Sequence, residues 1–169
     1  MARTQQSSRT FARRLLRGPT DLVYIGKSES SLQTRDIRQH FETGKTGRST
    51  VRRSIGAILR REMGYRALPR RTHPTRQDLS CHRFRQEDEE SLSAWMRRNL
   101  DIGFAPLHMT KEEICDIEKL VLAMVIPPLN IDGRSARRNP YAGLLRALRA
   151  QCKEQAVQAA DGPALRVPS

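Results

Sequence analysis

Residues able to do chemistry are sparse in this chain, and several apparent patterns fail on spacing. Gly44-Lys45-Thr46 has the end of a phosphate-binding loop, but that pattern needs a glycine five residues earlier, where Gln39 stands, and no strand is expected before it. His73, Cys81 and His82 lack metal-ligand spacing. No Gly-x-Ser-x-Gly occurs, so the nucleophilic-serine elbow is missing. Three cysteines at 81, 115 and 152 cannot all pair and show no Cys-x-x-Cys, which excludes a disulfide framework or a zinc finger. What remains lies near the two ends. Tyr24-Ile25-Gly26-Lys27-Ser28 is followed by Leu32, Arg35 and His40, and Glu118 is followed twelve residues on by Asn130 in Pro127-Pro128-Leu129-Asn130. These residue types suit phosphodiester chemistry. An arginine fork binds phosphate oxygens in pairs, and one carboxylate can hold a single Mg²⁺ that keeps most of its waters. A tyrosine, with a pKa of about 10, becomes a useful base only if a cation lowers that value.

Jointly, these residues resemble the GIY-YIG nuclease superfamily, the first cluster matching its N-terminal half and Glu118 with Asn130 its second half. Gly47-Arg48-Ser49-Thr50-Val51-Arg52-Arg53-Ser54, Leu92-Ser93-Ala94-Trp95-Met96 and Asn139-Pro140-Tyr141 look like a bacterial stand-alone group within it. The resemblance covers about residues 20–155. It implies an α+β fold, a small central antiparallel β-sheet flanked by helices, with an added C-terminal helix. It also implies an endonuclease that hydrolyses DNA with one Mg²⁺ (or Mn²⁺). By the same resemblance Glu118 holds the metal, Arg35 binds the phosphate, Tyr24 activates water, Asn130 sits near the metal glutamate, and Lys27 matches a lysine of the excision-repair branch. Two positions depart from the pattern. No Gly-Ile-Tyr stands upstream, the nearest candidate being Thr10-Phe11-Ala12, and Phe11 has no hydroxyl. His40 lies five residues after Arg35 where family members often have four, and one residue turns a helical side chain by about 100°. A non-catalytic nucleic-acid-binding module on the same fold is therefore the alternative.

Charge points the same way. Among 169 residues, 31 Lys+Arg against 18 Asp+Glu leave +13. Residues 1–85 hold 20 basic and 6 acidic side chains, net +14, while residues 86–169 hold 11 and 12, net −1. An arginine-rich, one-sided field is the footprint of a polyanion partner, DNA first and RNA second. Arg48, Arg52, Arg53, Arg60 and Arg61 are the expected backbone contacts. No run approaches 18 apolar residues, which excludes a transmembrane helix, and no amphipathic helix pairs the arginines with an apolar membrane-facing side. The expected location is the bacterial cytoplasm. The acid-free, Arg- and Ser-rich first twenty residues also suit an organelle transit peptide. A double-strand break would require a homodimer or a protein partner.

The elements that must position these groups follow from periodicity and caps. Residues 1–19 read as a basic arm or first strand, 20–155 as the nuclease-like domain, and 156–169 as a loose tail. Thr20 to Gly26 reads as a strand, with Thr10–Leu16 as its hairpin partner. Ser30 or Ser31 caps a helix to about Phe41, and Ser49 or Thr50 caps a second with Val51, Ile55, Ile58 and Leu59 inward and Arg52, Arg53, Arg60 and Arg61 outward. Residues 64–85 read as an irregular connector. Glu87–Leu100 is a third helix, acidic at its start and basic at its end. Thr110-Lys111-Glu112-Glu113 has capping-box spacing and opens a fourth through Ile114, Ile117, Val121 and Met124. Asn139-Pro140 starts the last, with Leu144, Leu145 and Leu148 on one face. Taken singly, Tyr24 has a plainer reading as strand packing, Glu118 as a helix-surface charge and Asn130 as a turn cap.

Overall fold

A computed structural model describes residues 22–27, 39–103, 105, 107–133 and 135–161. Gln39–Phe41 (α1) is helical, and a 3₁₀ turn at Thr46–Arg48 leads into Thr50–Met63 (α2). Ser49 caps α2 by accepting from the Arg52 N–H, and Gly64 ends it at φ 73°, in the left-handed region that suits glycine. Then come Ala67–Leu68 (β1), Arg76–Ser80 (α3), Arg83–Phe84 (β2), Gln86–Asn99 (α4), Lys111–Met124 (α5), Ser135–Arg138 (α6) and Ala142–Asp161 (α7). The strands β1 and β2 pair antiparallel, Ala67 opposite Phe84 and Leu68 opposite Arg83. The fold is α+β and mostly helical, as expected.

The core lies where α2, the β1–β2 pair, α4 and α7 meet. Val51, Ile55, Ile58 and Leu59 of α2 point into it, with Phe84, Leu92, Met96, Leu129, Ile131, Leu145 and Cys152. Phe84 lies so close over Gly56 that a Cβ there would come within 2.3 Å of its ring, so this helix–ring contact requires glycine. Gln155 of α7 accepts from the Ala67 N–H at 2.9 Å. At the other face of the core the guanidinium of Arg52 is fully buried. It pairs with Glu89 at 2.8 Å, and also donates to Thr46 Oγ1 and to the His40 carbonyl. Glu89 in turn accepts from Thr46 Oγ1 and the Gly44 N–H on one oxygen and from the Phe84 N–H on the other.

Several expectations are corrected. The connector 64–85 is not irregular: it contains both strands and α3, whose Thr75–Asp78 capping box is complete. Residues 22–27 run without regular strand assignment, while the proposed hairpin partner at 10–16 and the first helix before Gln39 lie outside the described residues. Arg52 and Arg53 do not face outward but are buried. Burial lowers the pKa of both, with Glu89 opposing the shift of Arg52. Met124 of α5 and Leu144 of α7 are exposed rather than inward. Residues 156–161, placed in the loose tail, continue α7, and Ala156 is buried.

Removing Glu89 would leave Arg52 as an uncompensated buried charge. Glu89→Ala is expected to lower unfolding free energy by about 3–5 kcal/mol, measured by urea denaturation. A loss under about 1 kcal/mol, the range of a surface pair, would contradict this.

Candidate active site

The segment Leu22–Lys27 is attached to the turn after α5 by three hydrogen bonds. The Leu129 N–H donates to the Val23 carbonyl at 3.0 Å. The Asn130 side chain then serves both backbone groups of Ile25, accepting from its N–H at 2.9 Å and donating to its carbonyl at 2.8 Å. A planar amide thus does the work of a neighbouring strand. The turn that presents Asn130 is itself held by buried Asn139, whose Nδ2 donates to the carbonyls of Pro127, Pro128 and Asn130. Its Oδ1 accepts from the Tyr141 N–H at 2.9 Å. Asn130 is therefore a positioning residue for the chain that carries Tyr24 and Lys27.

From that segment Lys27 reaches α5, where its ammonium donates to Cys115 Sγ. Cys115 and Glu118 are three residues apart on α5 and share a face. The half-buried Glu118 carboxylate and the Lys27 ammonium are thus placed on the same side of one helix. The α5 start is fixed by the expected capping box, Thr110 and Glu113 each bonding the other's backbone N–H.

Tyr24 turns the other way. Its ring meets that of His40 edge to face, centroids 5.9 Å apart. His40 Nδ1 lies 2.7 Å from Ser49 Oγ, the hydroxyl that caps α2, and the His40 carbonyl receives Arg52. Tyr24 also folds back over Gly26: a Cβ at 26 would sit 2.8 Å from Tyr24 Cε1 and 3.1 Å from its hydroxyl oxygen. In an extended segment, residues i and i+2 share a side, so glycine at 26 gives the tyrosine its place.

The structure therefore brings together Tyr24 with His40, and Lys27 with the helix of Glu118. Arg35 lies outside the described residues. Of the expected backbone contacts, Arg48 and Arg61 are exposed and Arg60 is half-buried, its NH2 group donating to Gln151. Arg52 and Arg53 are interior groups, Arg53 donating to the Gly47 carbonyl and Thr50 Oγ1. Sequence reasoning missed Ser49 as the support of His40, Cys115 as the seat of Lys27 and Asn139 as the holder of the turn. Cys115 could have been found from its i−3 relation to Glu118.

A family model described as the GIY-YIG catalytic domain matches residues 4–151. The chain belongs to the GIY-YIG nuclease family. No curated protein and no solved structure matches the chain. GIY-YIG nucleases generally use a divalent metal. Among the described residues no group of three or more His, Cys, Asp or Glu side chains is gathered for a metal. A lone carboxylate nonetheless fits a hard cation that retains most of its waters, and Glu118 supplies one.

Because Gly26 makes room for the tyrosine, Gly26→Ala is expected to displace the Tyr24 ring from His40 without unfolding the domain. The ring–ring contact should disappear from NOE spectra, and nuclease turnover should fall roughly 10- to 100-fold. An intact contact with full turnover would contradict the role given to Gly26.

Proposed function

We propose that this GIY-YIG domain is a DNA endonuclease acting with one divalent cation, Mg²⁺ or Mn²⁺, for which Glu118 is the protein ligand. The observation that carries this reading is the anchoring of the Tyr24–Lys27 segment beside α5, through Asn130 and through Lys27 to Cys115. When bound, the cation would lower the pKa of nearby water and offset charge on the phosphorane-like oxygens. Arg35 takes the scissile phosphate through its planar fork. The Tyr24 hydroxyl accepts the proton of the attacking water, and the positive charge of Lys27 favours the phenolate that results. His40 orients the Tyr24 ring and does not touch substrate. Arg48 and Arg61 grip the DNA backbone, with Arg60 at the margin, and the cytoplasm is where such a substrate would be met. A second copy or a protein partner supplies the second cut of a double-strand break.

A non-catalytic DNA- or RNA-binding module is the second reading, favoured by Phe11 where the family's first tyrosine is expected. Cleavage of plasmid, branched and single-stranded DNA with Mg²⁺ or Mn²⁺ separates the two. The nuclease reading expects products from the wild type and a loss of at least about 100-fold in Glu118→Ala, with DNA affinity kept and steeply salt-dependent. Absence of products from the wild type on every substrate, with binding equal in both proteins, would establish the binding module instead.

A further inference from the structure

A second group of polar atoms, outside the residues assigned to the reaction, lies where α2, α7 and the entry to β2 pack together. His82 is 1% exposed, and neither ring nitrogen has a hydrogen-bond partner. Its ring stacks edge to face on Phe84, centroids 5.4 Å apart. The buried Nε atoms of Arg53 and Arg60 are likewise without a partner. These two arginines are seven residues apart, two turns along the same side of α2.

The positive charges converge. Besides burial, Arg53, Arg149 and Arg60 all act on His82 and push its pKa down to about 3, so the imidazole is neutral at pH 7. Arg60 and Arg149 act on the neighbouring Cys152. Arg149 and Arg70 act on Arg53, with Asp132 and Cys81 as the opposing groups. The Arg70 methylenes lie within 3.3 Å of where a Cβ on Gly47 would stand, beside the Gly47 carbonyl that receives Arg53. Asp78 is engaged elsewhere, with Thr75 and Arg71. Buried donors without acceptors, set among like charges, are costly in an isolated chain. An oxyanion would satisfy them at once: each phosphate oxygen accepts more than one hydrogen bond, and guanidinium forks match that geometry.

We infer that Arg53, Arg60, His82 and Arg149 form a second phosphate-binding site between α2 and α7, distinct from the groups placed at the scissile bond. The occupant is a phosphate group, either of a nucleic-acid backbone or of free phosphate. The site requires no cleavage, so it stands or falls apart from the catalytic reading.

The test uses the full chain in buffer free of phosphate and sulfate. Thermal unfolding is followed on adding sodium phosphate, against sodium chloride of equal ionic strength. The wild type is expected to gain about 2–4 °C in Tm once phosphate exceeds Kd roughly fourfold. Arg149→Gln and Arg60→Gln should lose that gain while keeping at least the wild-type Tm in chloride. By NMR, phosphate should move the His82 imidazole resonances and raise their titration midpoint from about 3, because a bound anion favours the imidazolium. A short DNA duplex distinguishes the sources. A fall of about 0.9 in the slope of log K against log salt for Arg149→Gln assigns the site to backbone phosphate. An unchanged slope alongside phosphate-dependent Tm assigns it to free phosphate. No phosphate-specific Tm gain in the wild type, with unmoved His82 resonances, would overturn the inference.

Discussion

The buried pair of Arg52 and Glu89 is the constraint on which the rest of the structure depends. A guanidinium with no exposure tolerates few arrangements, because every donor left unmatched inside a protein costs more than an ordinary hydrogen bond returns. Here the arrangement recruits four segments: the Gly44–Thr46 loop, the His40 carbonyl, the entry to β2 at Phe84 and the first turn of α4. An ion pair of this kind adds little over a well-packed apolar core. Its contribution is to bring α2, α4 and the end of α1 to one register. His40 is set by that register, and Tyr24 leans on His40.

Two asparagines extend the same logic to the other side of the site. Asn139 gathers three carbonyls of a proline-rich turn whose two prolines have no N–H to donate. The shaped turn then offers Asn130 to Ile25. Residues 105 positions apart in the chain meet through one amide. Lys27 adds a second tie to α5. The family's spaced motif is thus a set of backbone fasteners as much as a set of reactive groups.

Much of this was legible in the sequence where local chemistry decides it. The Ser49 and Thr110 caps, the apolar stripe of α2, the acidic start and basic end of α4, and the order Tyr24, Glu118, Asn130 all emerged from spacing. What escaped was settled by tertiary partners. Arg52 looked like an outer-face arginine because its partner Glu89 is 37 residues away and reads as one more acid in the first turn of α4. The connector 64–85 hid a strand pair because two-residue strands carry no periodicity. Their pairing rests on Phe84 packing over Gly56 and on Gln155 reaching Ala67, contacts from distant elements.

The central claim is that Asn130 makes the site by fastening the Tyr24–Lys27 segment to the turn after α5. Its most direct test is Asn130→Ala followed by two readouts on one sample, amide exchange at Ile25 and single-turnover cleavage of DNA with Mg²⁺. The account predicts that the Ile25 amide loses protection and that the cleavage rate falls by roughly 100-fold, while DNA affinity is kept. A freed Ile25 amide together with an undiminished cleavage rate would contradict it.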